Sequence, residues 1–150
     1  MGRWDPTIQL SKTHLNKAFW YESERHLITV RVDSGHLNVD CKSTGDVLPK
    51  HELICALGLH RPAFAPSGHR ALEKIVRDNP GVHPARSLHL GLDLARTVMQ
   101  QLIEWRDAAT AWRRWNLDVG SPVPGVAGLY FPPSYQDMHE QSVERLTQFG

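Results

Sequence analysis

The stretch HLITVRVDSGHLNVDC, residues 26–41, carries the clearest structural signal in the chain. Apolar and polar side chains alternate on both sides of Ser34-Gly35, which is the pattern of two strands joined by a tight turn. Gly35 readily takes the positive φ that such a turn needs. A two-residue loop sets the register so that three apolar pairs share one face: Val32 with Leu37, Val30 with Val39, and Ile28 with Cys41. We therefore predict an antiparallel hairpin here.

A hairpin by itself is only marginally stable, so this one needs a third strand or a covering helix. Residues 18–22 are the candidate strand, and a helix over 11–21 is the alternative that the sequence leaves open. The chain after the hairpin is mostly helical in pattern. We predict an α+β fold, with an N-terminal antiparallel hairpin or small three-stranded sheet packed against a mostly helical remainder. A length of 150 residues predicts one domain over 1–150, β-rich at about 18–42 and helical at about 49–116.

One long helix is predicted from about 84 to 116. Apolar residues recur there at helical spacing, and Trp105 and Trp112 both fall on the apolar stripe. A helix of about thirty residues would be roughly 45 Å long, which exceeds the diameter of a compact domain of this size. We expect it to project, to kink at a place such as Gly91, or to meet a partner chain.

A Pro/Gly-rich arm follows at about 119–133, and its apolar side chains must be covered by something. Ser134 with Asp137 three residues later forms a capping box, which predicts a C-terminal helix over about 134–148.

Composition narrows the classes of partner. The chain has 17 Lys and Arg against 16 Asp and Glu, a formal net charge of +1, so no strong field of one sign attracts nucleic acid or an anionic membrane. No apolar run reaches the ~18–20 residues of a membrane span, and the N-terminus lacks the apolar core of a signal peptide. Two cysteines do not make a disulfide framework. We predict a cytoplasmic protein without a membrane partner.

The first functional hypothesis is a non-catalytic protein-interaction role, as an adaptor, a regulatory subunit or an assembly component. The overlong helix and the apolar arm both suggest surfaces that a protein partner or a second copy completes, and a virion is one setting for such an assembly. The residues that we expect to bind this partner are the apolar ones of the arm and the helix: Val126, Leu129, Tyr130, Phe131, Trp112 and Trp115.

Two alternatives remain open. The segment 105–115 mixes arginine and tryptophan, which suits contacts to phosphates and bases, and it predicts a nucleic-acid site at Arg106, Arg113 and Arg114 beside Trp115. His51 and Cys55 share a helix face at i and i+4, which would suit a small zinc-dependent enzyme. No nucleophile elbow or phosphate loop is present in the sequence, no cofactor is predicted, and no motif is specific enough to indicate a family.

Overall fold

The computed structural model describes residues 5–57, 68–79, 88–142, 144–145 and 148. The predicted α+β class is confirmed, because a four-stranded antiparallel sheet at the N-terminus is followed by helices. Two compact units are distinguished, one of Met1–Leu48 with His89–Gly150 and one of Pro49–Leu88. The single domain expected over 1–150 stays a prediction.

The sheet runs in the order β1-β2-β3-β4, and each strand pairs with the next in sequence. The predicted hairpin is its β3–β4 pair, in the expected register. Both turn residues have positive φ, 48° at Ser34 and 79° at Gly35, as the turn geometry requires. The four strands are β1 at Ile8–Leu10, β2 at His14–Tyr21, β3 at Glu24–Asp33 and β4 at His36–Ser43.

The third strand is β2, so the alternative of a helix over 11–21 is wrong. Its side chains alternate between the two faces of the sheet, and Phe19 lies opposite His26 while Ala18 lies opposite Leu27. Strand β1 was not predicted, because three residues carry no measurable periodicity. It pairs with β2 from Ile8 to Leu10 and makes the sheet four strands wide.

The six hairpin side chains do share one face, but that face is covered only at one end. Ile28 is 1% exposed, whereas Val32 and Leu37 near the turn are 56% and 53% exposed.

The predicted long helix over 84–116 is wrong, because the chain divides there into two helices. The backbone is extended at Ile103, with φ −140° and ψ 165°, and residues 80–87 lie outside the described residues. The break allows Leu92 of one helix to meet Trp112 and Trp115 of the other in a single apolar cluster. The described residues form five helices: α1 at Lys50–Ala56, α2 at Arg70–Asp78, α3 at Leu90–Leu102, α4 at Trp105–Asp118 and α5 at Tyr135–His139. None of the helices built by these described residues combines the length and the apolar character that spanning a membrane requires.

The arm folds back on itself and onto the sheet. Two short strands, β5 at Ser121–Pro122 and β6 at Tyr130–Phe131, pair within it. Leu129 and Phe131 join Ala18 of β2 in a buried cluster. The backbone N–H of Tyr130 donates to the carbonyl of Pro6 over 2.8 Å. The arm is therefore a packed part of the unit that contains the sheet.

The capping box at Ser134 and Asp137 is present and opens α5 as predicted. The helix is shorter than the predicted 134–148, because α5 ends at His139. Residues 144–145 are helical again, and residues 143, 146–147 and 149–150 lie outside the described part of the chain.

Candidate functional site

Helix α4 has one buried face, which carries two of the side chains expected to bind a partner. Trp112 and Trp115 are both buried, with ring centroids 5.3 Å apart. The Arg96 guanidinium lies 5.7 Å from the Trp112 ring centroid and 3.2 Å from the Asp5 carboxylate. These indoles form the core between α3 and α4, so their apolar surface is covered by the chain itself.

The opposite edge of α4 is exposed and carries all three arginines of the nucleic-acid alternative: Arg106, Arg113 and Arg114. Trp105 was assigned to the apolar stripe, yet it is 63% exposed because it begins α4 directly after the break at Ile103. The Arg106 guanidinium lies 5.7 Å from its ring centroid. The structure thus replaces Trp115 with Trp105 as the indole beside these arginines. We call the exposed residues Trp105, Arg106, Arg113 and Arg114 the α4 edge.

The arm residues expected to bind a partner are mostly covered within their own unit. Leu129 and Phe131 are buried, and Val126 and Tyr130 are half-buried. Val126 packs against the cluster that Ala18 and Leu129 form. The sheet beside the arm therefore covers most of the apolar side chains that suggested a missing partner.

The metal-site alternative at His51 and Cys55 stays a prediction. His51 is exposed, and its Nε2 lies 3.4 Å from the Glu52 carboxylate. Cys55 is half-buried. Among the described residues, no group of three or more His, Cys, Asp or Glu side chains is placed to hold a metal ion.

A polar groove lies on the sheet face opposite Ile28, with a volume of about 640 Å³. Thr29 donates to Asn16 over 2.9 Å, and Asn16 donates to Gln9 over 3.1 Å, which links three strands by hydrogen bonds. Sequence reasoning missed this groove, although its signal is the polar half of the same alternation. Its polar lining comes from three strands: His14, Asn16, Thr29, Arg31, Asp40 and Lys42.

A smaller cleft of about 360 Å³ lies between the β2–β3 turn and the start of α5. Trp20 and Tyr135 both line it, together with the buried ring of His89. His89 Nδ1 accepts the backbone N–H of Leu92 over 3.1 Å, so the neutral ring carries its proton on Nε2. Burial lowers the pKa of His89, although nearby Asp93 acts in the opposite direction. No local sequence pattern indicates this cleft, because its residues are scattered along the chain.

His26 is the second histidine whose environment is strongly apolar. It is buried on the Ile28 face and stacks on Phe19 with ring centroids 5.5 Å apart. Neither of its ring nitrogens has a hydrogen-bond partner among the described side chains. Burial lowers the pKa of His26, and the Glu24 carboxylate and a backbone hydrogen bond at Tyr21 only partly oppose this. The ring is therefore held in its neutral form.

Neither a family model nor a curated protein matches the chain. Among solved structures, it is similar to a 3-methyladenine DNA-glycosylase from Archaeoglobus fulgidus, with 17% sequence identity and a TM-score of 0.68. The match covers 97% of this chain and 53% of that one, so this chain spans about half the length of that structure. At this identity the likeness establishes a shared fold.

The hypothesis of a non-catalytic adaptor, regulatory or assembly protein is contradicted by this likeness, because the fold is one that a DNA glycosylase uses. The apolar side chains that motivated the hypothesis are also accounted for. Trp112, Trp115, Leu129 and Phe131 are buried in clusters within one unit of the chain.

Proposed function

We propose that this chain is a nucleic-acid-associated protein that acts in the removal of methylated bases from DNA, and that it contacts DNA phosphates through the α4 edge. The observation that carries the proposal is the fold, which is shared over 97% of the chain with a 3-methyladenine DNA-glycosylase. That chain is about twice as long, so we assign DNA contact to this chain rather than the whole reaction. A cytoplasmic location stays a prediction.

The α4 edge supports the proposal by its chemistry. Arg106 and Arg113 are seven residues apart, which places them on one side of the helix about 10 Å from each other. Guanidinium groups form paired hydrogen bonds to phosphate oxygens, and an exposed indole offers a face on which a base can stack. Trp105 already carries the Arg106 guanidinium over its ring. The edge therefore offers groups that suit phosphate contacts and base contacts on one element.

The net charge of +1 means that attraction to DNA must be local. Asp107 is also exposed on α4 and weakens the field of its neighbours. We therefore expect modest affinity that depends steeply on salt, because each phosphate contact releases a counterion.

The test is binding to a fluorescein-labelled DNA duplex, followed by anisotropy between 50 and 200 mM NaCl. The variant Arg106→Gln, Arg113→Gln, Arg114→Gln should bind more weakly. Its slope of log affinity against log salt should be shallower by about three, one for each lost phosphate contact. An unchanged thermal unfolding curve would show that the exposed substitutions leave the fold intact.

The matched control is Arg31→Gln, which removes one exposed arginine from the sheet groove of the same unit. We expect it to leave the salt slope unchanged. No binding by the wild-type chain at 50 mM NaCl would overturn the proposal. If Arg31→Gln weakened DNA binding and the triple variant did not, the DNA interface would be the sheet groove instead of the α4 edge.

A further inference from the structure

The smaller cleft is bordered by two aromatic rings, and both are held in place. Trp20 Nε1 donates to the carbonyl of Pro132 over 2.7 Å. The Arg25 guanidinium lies 5.0 Å from the Trp20 ring centroid. Because the indole is fixed at its N–H and against this guanidinium, it presents its remaining surface to the cleft without further ordering.

Tyr135 is fixed in a comparable way on the other side. Its ring stacks on His89 with centroids 4.3 Å apart and 24° between the planes. Its hydroxyl accepts the backbone N–H of Gly91 over 3.2 Å. A Cβ at Gly91 would lie 2.5 Å from Tyr135 Cε1, so only glycine permits this approach. Tyr135 is nevertheless 57% exposed, and it lines the cleft.

Glu22 lies at the rim of the cleft in a strained backbone conformation. Its φ is +54°, in the left-handed region that glutamate rarely adopts. Glycine would relieve this strain, so the presence of glutamate is unexplained by the turn alone. Such outliers gather at functional sites, where the side chain is needed in spite of its backbone.

The cleft lining combines hydroxyl and imidazole groups, which can donate hydrogen bonds, with two acceptors, one on Glu22 and one on Gln136. Glu22 supplies a carboxylate and is the only carboxylate or cation among the described lining residues. The Gln136 amide nitrogen donates to Glu140 over 2.9 Å, which leaves its carbonyl oxygen to accept. Acceptors favour a ligand with N–H donors, and the negative carboxylate disfavours a phosphate. The volume of about 360 Å³ is at the lower end of small-molecule pockets, which suits one small planar ligand.

We propose that this cleft binds a planar nitrogen heterocycle with an exocyclic amino group, the chemistry of an adenine or cytosine base, stacked on the ring of Tyr135 with its amino group toward Glu22. The base can come from a free nucleoside or from an unpaired position in a single strand. The choice of a base as ligand rests on the proposed function, whereas the site is separate, because none of the cleft residues belongs to the α4 edge.

The first experiment uses 2-aminopurine riboside, whose fluorescence is quenched when the base stacks on an aromatic ring. We expect saturable quenching by the wild-type chain. Tyr135→Ala should weaken binding about tenfold, because stacking on an aromatic side chain contributes on that scale. Tyr135→Phe keeps the ring and should retain most of the quenching. Adenosine should compete at least about fivefold better than purine riboside, which has no amino group to donate.

Glu22→Gly separates a binding role from a structural one. The substitution relieves the positive-φ strain, so it should raise the unfolding temperature. It also removes the carboxylate, so it should weaken binding of 2-aminopurine riboside by about fivefold or more. A purely structural glutamate would give no loss of binding.

A single-stranded oligonucleotide with one internal 2-aminopurine distinguishes the two sources. Stronger quenching of the oligonucleotide assigns the cleft to a base within a strand, and quenching of the riboside alone assigns it to a free nucleoside. Quenching of neither probe would overturn the inference, as would equal competition by adenosine and purine riboside. The triple arginine variant should still quench the riboside. If DNA binding fails while riboside binding persists, only the proposed function falls.

Discussion

Ile28 and Val32 lie on the same strand and the same sheet face, four residues apart, yet their environments are opposite. Ile28 is 1% exposed and has the buried rings of Phe19 and His26 beside it on this face. Val32 is 56% exposed, and its cross-strand partner Leu37 is 53% exposed. One alternating pattern therefore runs from the core into solvent without any change in residue type.

The difference teaches that alternation specifies which side chains share a face but not how far that face is covered. A strand of ten residues is about 33 Å long, so its two ends can lie in different surroundings. The turn at Ser34 and Gly35 holds the register at the exposed end, where packing does not. Three substitutions along this face test the contrast.

The largest effect is expected for Ile28→Ala at the buried end. Removing a fully buried isoleucine loses its transfer free energy and leaves a cavity, which together cost about 2–5 kcal/mol. The free energy of unfolding should fall by that amount in urea denaturation followed by circular dichroism. A loss below about 1 kcal/mol would show that Ile28 is not in a tightly packed core.

A smaller effect is expected for His26→Phe. Two buried ring nitrogens without a side-chain partner are replaced by carbon, so stability at pH 7.5 should change by no more than about 1 kcal/mol. His36→Phe at the exposed turn end of β4 is the matched ring substitution and should leave stability at that pH unchanged.

The substitution His26→Phe should also change how stability depends on pH. Because burial lowers the pKa of His26, the unfolded chain binds a proton at a pH where the folded chain does not. Unfolding free energy of the wild-type chain should therefore decrease as the pH falls below about 6.5. Between pH 7.5 and 5.5, the unfolding free energy should decrease less in His26→Phe than in the wild-type chain. His89, whose pKa is also lowered, should account for part of the decrease that remains in the variant. If unfolding free energy depended on pH equally in the wild-type chain and in His26→Phe, the conclusion that His26 is buried in its neutral form would be contradicted.

The smallest effect is expected for Val32→Thr. Threonine keeps the β-branched shape, and its hydroxyl reaches water at an exposed position, so stability should change by less than about 0.5 kcal/mol. Ile28→Thr is the matched control at the buried end, where the hydroxyl has to be buried, and should cost several times more. Comparable losses at both positions would show that the turn end of this face is covered in solution.

Much of the sheet was predictable because its signals are local. Turn chemistry at Ser34 and Gly35 and alternation on either side were enough for the β3–β4 register, and the capping box at Ser134 and Asp137 was enough for the start of α5. The candidate sites were less predictable. The α4 edge was recognised by its arginines, whereas the cleft brings Trp20, His89 and Tyr135 together from positions that are remote in sequence.

The sequence by itself determined the α+β class, the hairpin register and the helical character of the residues that form α3 and α4, because each depends on neighbouring residues and on backbone propensity. Only the tertiary structure decided where the apolar stripe breaks, since the break at Ile103 brings Leu92 against Trp112 and Trp115, which are remote in sequence. It likewise decided that Trp105 is exposed while Trp112 is buried. Burial depends on which distant surface lies opposite a side chain, and local spacing carries no record of that.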